Sequence, residues 1–142
     1  MSDLDFVAVL SRPLTDEDAE ALVLLHRSYR TDPTLPGLDG IWLTEAELSG
    51  GPDAIGDGPT SQQGDFLVAA RGNRNPVTWH ALPSAVTLIG ELDRGTLWRD
   101  DDRLVSWVRD NAAAYWRRWL ARASGISPAM LGRAAPMWGV LG

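Results

Sequence analysis

Apolar residues recur with a helical period along the longest stretch without proline or glycine, which includes residues 100–124. At 100° per residue, one sector of such a helix collects eight apolar side chains. They are Leu104, Val105, Val108, Ala112, Tyr115, Trp116, Trp119 and Ala123. Because aromatic side chains bury large areas, this pattern predicts a long helix that anchors the hydrophobic core. Trp107 falls on the opposite side of this helix. Its position predicts that the side chain is covered by the C-terminal tail or that it contacts another molecule.

A second helix is predicted over residues 15–30. Thr15 is a suitable N-cap, and the acidic residues that follow it favour the positive end of the helix dipole. The predicted inward face consists of Asp18, Ala21, Leu22, Leu25 and Tyr29. Thr44 and Glu47 have the spacing of a capping box, which predicts one helical turn over residues 44–48.

Four short runs rich in β-branched and aromatic residues predict strands. They cover Asp5–Leu10, Ile41–Leu43, Asp65–Arg71 and Val77–Leu82. The first is expected to be buried on both faces, and the last two to form a hairpin. A further helix is predicted over Ser84–Leu92, whereas the Gly- and Pro-rich residues 49–64 predict a long structureless loop.

This order of elements predicts an α+β fold, in which a small, mostly antiparallel sheet packs on the long C-terminal helix and the N-terminal helix. The alternative is a mostly helical protein with a minor hairpin. We expect residues 1–125 to form a single globular domain with a flexible loop at about 49–64. Residues 126–142 are predicted to form an apolar C-terminal tail.

Composition and charge narrow the classes of function. A formal charge of −6 argues against nucleic acid or an anionic membrane as the main partner, although YWRRWLAR in the long helix could stack on bases. The absence of cysteine excludes thiolate chemistry. All thirteen basic residues are arginine, for which codon bias is a simpler explanation than selection against a modifiable amine. No metal or cofactor motif is present. The acidic N-terminus and the lack of a long apolar run predict a cytoplasmic location, or one within a particle assembled in the cytoplasm.

The chain has two histidines, His26 and His80. A structural role is the simpler interpretation for both. His80 is the better catalytic candidate, because Asp65 across the predicted hairpin could orient it for general acid–base chemistry. A small-molecule enzyme with a pocket lined by Trp79 and Trp42 is therefore the alternative function.

The favoured function is a non-enzymatic protein–protein interaction or assembly module, with another protein or a second copy as partner. An adaptor, an immunity-type protein and a phage or prophage structural component are the kinds considered. The few catalytic side chains, the seven tryptophans and the apolar tail support this choice. The candidate interface residues are Trp107, Arg118, Met137 and Trp138.

Overall fold

The computed structural model describes residues 4–32 and 34–124 of the 142-residue chain. In chain order, the helices and strands of this part are β1 (Leu4–Leu10), α1 (Asp16–Arg30), β2 (Leu38–Thr44), α2 (Glu45–Gly50), β3 (Gly58–Gln62), β4 (Asp65–Ala70), α3 (Pro76–Ala81) and α4 (Asp101–Ala123). Short 3-10 helices at Leu82–Ser84 and Arg94–Thr96 lie between α3 and α4. The predicted α+β class, the N-terminal helix and the long C-terminal helix are confirmed.

The four strands form one mixed sheet in the order β1-β2-β3-β4. β1 pairs with β2 in parallel, whereas the β2–β3 and β3–β4 pairings are antiparallel. The prediction that β1 is buried on both faces is wrong, because Leu4 and Val9 are 47% and 42% exposed. β1 is an edge strand, with a neighbour on one side only, so its side chains are shielded less than those of β2.

α1 connects the two parallel strands and packs against β4. It begins as predicted: the Thr15 hydroxyl accepts a hydrogen bond from the Asp18 backbone, and the Asp18 carboxylate accepts one from the Thr15 backbone. The buried face centres on His26, whereas Leu25 is 56% exposed. The inward face is therefore rotated from the predicted one.

The hydrophobic core lies between β2 and the segments that follow it. Its buried members are Ile41, Leu43, Leu48, Ile55, Trp79 and Leu82. Trp79 is fully buried, and its indole Nε1 donates to the Leu48 carbonyl at 2.7 Å, which ties α3 to α2. Among the described residues, no α4 side chain belongs to this buried cluster. The predicted burial of Val108 and Tyr115 is wrong, because each is 45% exposed.

The predicted third strand, Val77–Leu82, is largely helical, because α3 spans Pro76–Ala81. The Asn75 side chain accepts a hydrogen bond from the Val77 backbone and caps the helix, and Pro76 occupies its first turn. Asparagine at the N-cap followed by proline is a strong helix start. This local signal outweighs the β propensity of Val77, Thr78 and Trp79.

The hairpin of the structure joins β3 to β4, so the predicted partner of β4 is wrong. Gln63 and Gly64 form its two-residue turn, and both have positive φ values, 53° and 79°. Two positive φ values match the twist of a tight hairpin, and glycine adopts the second without strain. Because β3 occupies Gly58–Gln62, the prediction of a structureless 49–64 segment is wrong for its second half. The flexibility of residues 49–57 stays a prediction.

The predicted helix over Ser84–Leu92 is wrong except for its start, which belongs to the 3-10 turn Leu82–Ser84. Residues 85–93 have no regular secondary structure. Gly90 has φ 72°, which a right-handed helix cannot contain, and the β-branched Val86 and Ile89 favour extended backbone.

The chain divides into two compact units, with the boundary after Asp101. The first unit holds the sheet, α1, α2, α3 and the core. The described part of the second unit is the rest of α4 and Ser124. The single globular domain predicted for residues 1–125 stays a prediction.

Candidate functional site

α4 presents a row of exposed apolar side chains, which we name the α4 stripe. It consists of Val105, Val108, Tyr115, Trp116 and Leu120, which are 43–60% exposed. Residues at spacings of three, four and seven lie on the same side of a helix, so these side chains form one surface. Large exposed apolar surfaces of this kind mark binding sites in soluble proteins.

The aromatic members of α4 pack on one another. The rings of Tyr115 and Trp116 have centroids 5.4 Å apart at an interplanar angle of 87°, and those of Trp116 and Trp119 are 6.0 Å apart at 71°. Edge-to-face pairs of this geometry are favourable and fix the rings relative to each other. The stripe therefore offers a partly preordered aromatic surface.

Charge differs sharply between the two units. Through Asp101 the chain carries seven arginines and seventeen acidic residues, a formal charge of −10. From Asp102 onward it carries six arginines and two acidic residues, a formal charge of +4. Arg109 lies one helical turn from Val105, and Arg118 one turn from Tyr115, so basic side chains border the α4 stripe.

The structure places the predicted interface residues as follows. Trp107 is half-buried and Arg118 is exposed, and the Arg118 Nε donates to the Ala114 carbonyl of the same helix at 3.3 Å. Met137 and Trp138 lie outside the described residues. The surface that sequence reasoning missed is the α4 stripe, whose members other than Leu120 had been assigned to the core. Periodicity identified these residues correctly but could not show whether another element covers them.

A cleft of about 300 Å³ opens where β1 and β2 end and α1 and α2 begin. Its lining consists of Leu10, Pro13, Leu14, Thr15, Asp16, Ala19, Trp42, Thr44, Glu47, Pro59, Phe66 and Val68. The two threonines act in capping boxes, and one oxygen of Glu47 accepts hydrogen bonds from the Thr44 backbone and hydroxyl at 2.8 and 2.9 Å. Among these lining residues there is no histidine, serine or arginine, and the acidic ones are Asp16 and Glu47, of which Glu47 is used in the capping box of α2.

Asp18 beside this cleft has a strongly perturbed carboxyl. Arg12 contacts both of its oxygens, at 2.5 and 3.2 Å, and the Thr15 backbone and hydroxyl donate to it at 2.8 and 2.9 Å. The hydrogen bond from Arg12, followed by those from Thr15, holds the pKa of Asp18 well below its usual range. All of these partners lie at the start of α1, so the arrangement secures a helix terminus.

Arg74 is a fully buried arginine on the turn between β4 and α3. Its Nη2 donates to the carbonyls of Trp42, at 2.6 Å, and Pro59, at 3.3 Å, while Nη1 lies 3.7 Å from the Glu47 carboxylate. A Cβ on Gly58 would stand 2.4 Å from Nη2, so only glycine leaves room for the guanidinium. Burial lowers the pKa of Arg74, against the field of Glu47. These contacts hold β2 and β3 together, which is a structural role.

His26 is also buried, and its Nδ1 lies 3.2 Å from the Ser61 hydroxyl. That hydroxyl also lies 2.6 Å from the Leu38 carbonyl, to which it donates. The ring also contacts Trp42 and Phe66. Burial lowers the pKa of His26, opposed by a hydrogen bond to the Gly64 backbone and the charge of Asp65. Since both His26 and Ser61 are buried, this pair is part of the packing.

His80 does not meet the partner predicted for it. It lies on α3 instead of a strand; its Nε2 is 3.2 Å from the Asp100 carbonyl, and its Nδ1 is 3.6 Å from an Asp101 carboxylate oxygen. Asp65 forms an ion pair with Arg30. The pairing of His80 with Asp65 across a hairpin is therefore wrong, because that hairpin does not exist. His80 is not among the cleft residues, and Trp79, predicted to line a pocket, is fully buried.

Two further properties bear on the kind of site. In the described part of the chain, no helix is long and apolar enough to cross a membrane. Over residues 4–32 and 34–124, histidine and acidic side chains form no group of three or more that could hold a metal ion.

No protein-family model matches the chain, and no curated protein or solved structure matches it. The choice among candidate sites therefore depends on geometry and chemistry alone.

Proposed function

We propose that this protein is a non-enzymatic protein–protein interaction or assembly module and that it binds its partner through the α4 stripe. The observation that carries the proposal is the exposure of five large apolar side chains along one side of α4. Helices commonly bind by placing apolar side chains, spaced by three, four and seven residues, in a groove of the partner. Exposed Tyr115 and Trp116 are of the residue type that dominates binding energy in protein interfaces.

A protein is the partner that the charge distribution favours. The first unit carries a formal charge of −10, which would repel nucleic acid or an anionic membrane brought close to it. The arginines that border the stripe suit a protein partner with apolar and acidic residues. Adaptor, immunity-type and phage or prophage structural proteins all remain within the proposal. A cytoplasmic location, or one in a particle assembled there, is part of it and is supported by the sequence alone.

We do not propose the alternative of a small-molecule enzyme that uses His80. Its pocket was to be lined by Trp79 and Trp42, but Trp79 is fully buried and its indole donates to the Leu48 carbonyl. The described cleft contains Trp42 without His80.

Site-specific photocrosslinking tests the proposal in the full-length protein. A benzophenone amino acid is placed at position 116, in the stripe, and in a second variant at position 117, which lies 100° further around the helix and is not a member of the stripe. In an extract of the source cells, we expect discrete protein adducts from position 116 and much less crosslinking from position 117. Equal adducts from both positions, or none from either, would contradict the α4 stripe as the binding surface.

A further inference from the structure

The segment between the two 3-10 helices carries a second exposed apolar surface. Val86, Leu88 and Ile89 are 81%, 82% and 95% exposed. Scattered apolar side chains are normal on a protein surface, but three within four residues form a contiguous patch. We name residues 83–94 the apolar loop, and these three side chains its tip.

Hydrogen bonds and core packing fix the base of the apolar loop, whereas its tip is exposed to solvent. Arg94 donates to the carbonyls of Pro83 and Ala85, the latter at 2.9 Å, and so closes the loop. Leu82 is buried in the core just before the loop, and Leu92 packs against the core near its end. The tip therefore projects from an anchored frame. Anchoring lowers the entropy that the loop would lose on binding.

The apolar loop and the α4 stripe complement each other. Both surfaces are apolar, but Glu91 and Asp93 flank the tip, whereas Arg109 and Arg118 border the stripe. Arg94 keeps its positive charge, so residues 83–94 carry a net charge of −1. Two loops brought together would place acids against acids, and two stripes would place arginines against arginines. Opposite charges therefore favour a contact between a loop and a stripe over a contact between two loops or two stripes.

We infer that the apolar loop of one copy docks on the α4 stripe of a second copy. This inference depends on the proposed function, because it names the partner of the same stripe. Since each copy offers one loop and one stripe, the contact is head-to-tail and generates open chains or rings. Three tip side chains bury much less than the roughly 1,200–2,000 Å² of a stable interface, so association is weak and concentration-dependent. Salt weakens it by screening the charges.

Sedimentation velocity on the full-length protein, over a wide concentration range at low salt, measures this association. We expect the wild type to form dimers or larger species at high concentration. Leu88→Glu in the tip and Val108→Glu in the stripe should each abolish them. The matched controls are Thr87→Glu and Ser106→Glu, which add the same charge at exposed neighbouring positions that belong neither to the tip nor to the stripe. These controls should associate as the wild type does.

Mixing the two defective variants gives the sharper result. The Leu88→Glu protein retains an intact stripe, and the Val108→Glu protein retains an intact loop. Their mixture should form a 1:1 complex that grows no further, since each copy has one surface left. Circular dichroism of each variant, matching the wild type, shows that the loss is not due to unfolding.

Different outcomes separate the inference from the proposed function. If Leu88→Glu associates normally while Val108→Glu does not, the stripe binds something other than the loop; the inference is then wrong and the proposed function stands. A wild type that stays monomeric at all concentrations also overturns the inference. The proposed function itself fails only if crosslinking at position 116 shows no preference over position 117.

Discussion

Trp79 and Trp116 show how one residue type serves two purposes in this chain. Trp79 on α3 is fully buried, and its indole nitrogen is hydrogen-bonded to the Leu48 carbonyl. Trp116 on α4 is 43% exposed and contacts the neighbouring aromatic rings of Tyr115 and Trp119. The first contributes to the stability of the acidic unit, and the second belongs to a surface on a basic helix. An apolar side chain therefore identifies a core only when other elements cover it.

The largest expected difference is between Trp79→Ala and Trp116→Ala. Removing Trp79 leaves a cavity in the core and should lower the free energy of unfolding by about 3–5 kcal/mol. Removing the partly exposed Trp116 should lower it by less than about 1 kcal/mol. Urea denaturation followed by circular dichroism measures both. Equal losses would show that α4 is as important for folding as the core around Trp79.

A second comparison uses Arg74, which is buried, and Arg118, which is exposed. Arg74→Met removes the donor to the buried carbonyls of Trp42 and Pro59 and should cost about 3 kcal/mol of folding stability. Arg118→Met, on α4, should change the free energy of unfolding by less than about 0.5 kcal/mol. The same denaturation experiment applies. A small loss for Arg74→Met would mean that water satisfies those carbonyls as well as the guanidinium does.

The third and smallest effect is a pH dependence that belongs to the first unit. Burial lowers the pKa of His26 in the folded protein below the ordinary value of about 6.5, so the unfolded chain takes up the proton first. Stability is therefore greatest above pH 6.5 and decreases as the pH falls below it. Measured between pH 7.5 and 5.5, His26→Gln should flatten this slope. An unchanged slope in the variant would assign the pH dependence to other groups.

Much of the fold was predictable because its signals are local. Thr15 with Asp18 and Thr44 with Glu47 form the capping boxes that begin α1 and α2, and a capping box involves only four consecutive residues. The strands β2 and β4 were predicted from their own apolar runs. α3 was missed although its Asn75-Pro76 start is equally local, because the apolar run after it was interpreted by β propensity.

The candidate sites were harder to predict than the helices and strands, because a site depends on contacts between residues that are distant in the sequence. The pairing of His80 with Asp65 assumed a hairpin that the chain does not form, and both residues have other partners. The buried guanidinium of Arg74 leaves no sequence signal, since its partners are backbone carbonyls. β3 was not predicted, although it pairs with a strand on each side. Residues 61–64, at its end and in the following turn, are all polar or glycine and give no strand signal.

The sequence by itself determined where α1 and α4 begin and which of their residues are apolar, because capping, helical period and propensity act within a few residues. It also determined the overall excess of acidic residues, whereas the boundary between an acidic and a basic unit came from the structure. Only the tertiary structure decided which apolar faces are covered. Burial depends on the elements that the sheet brings together, so Trp79 became the centre of the core while Tyr115 and Trp116 stayed at the surface.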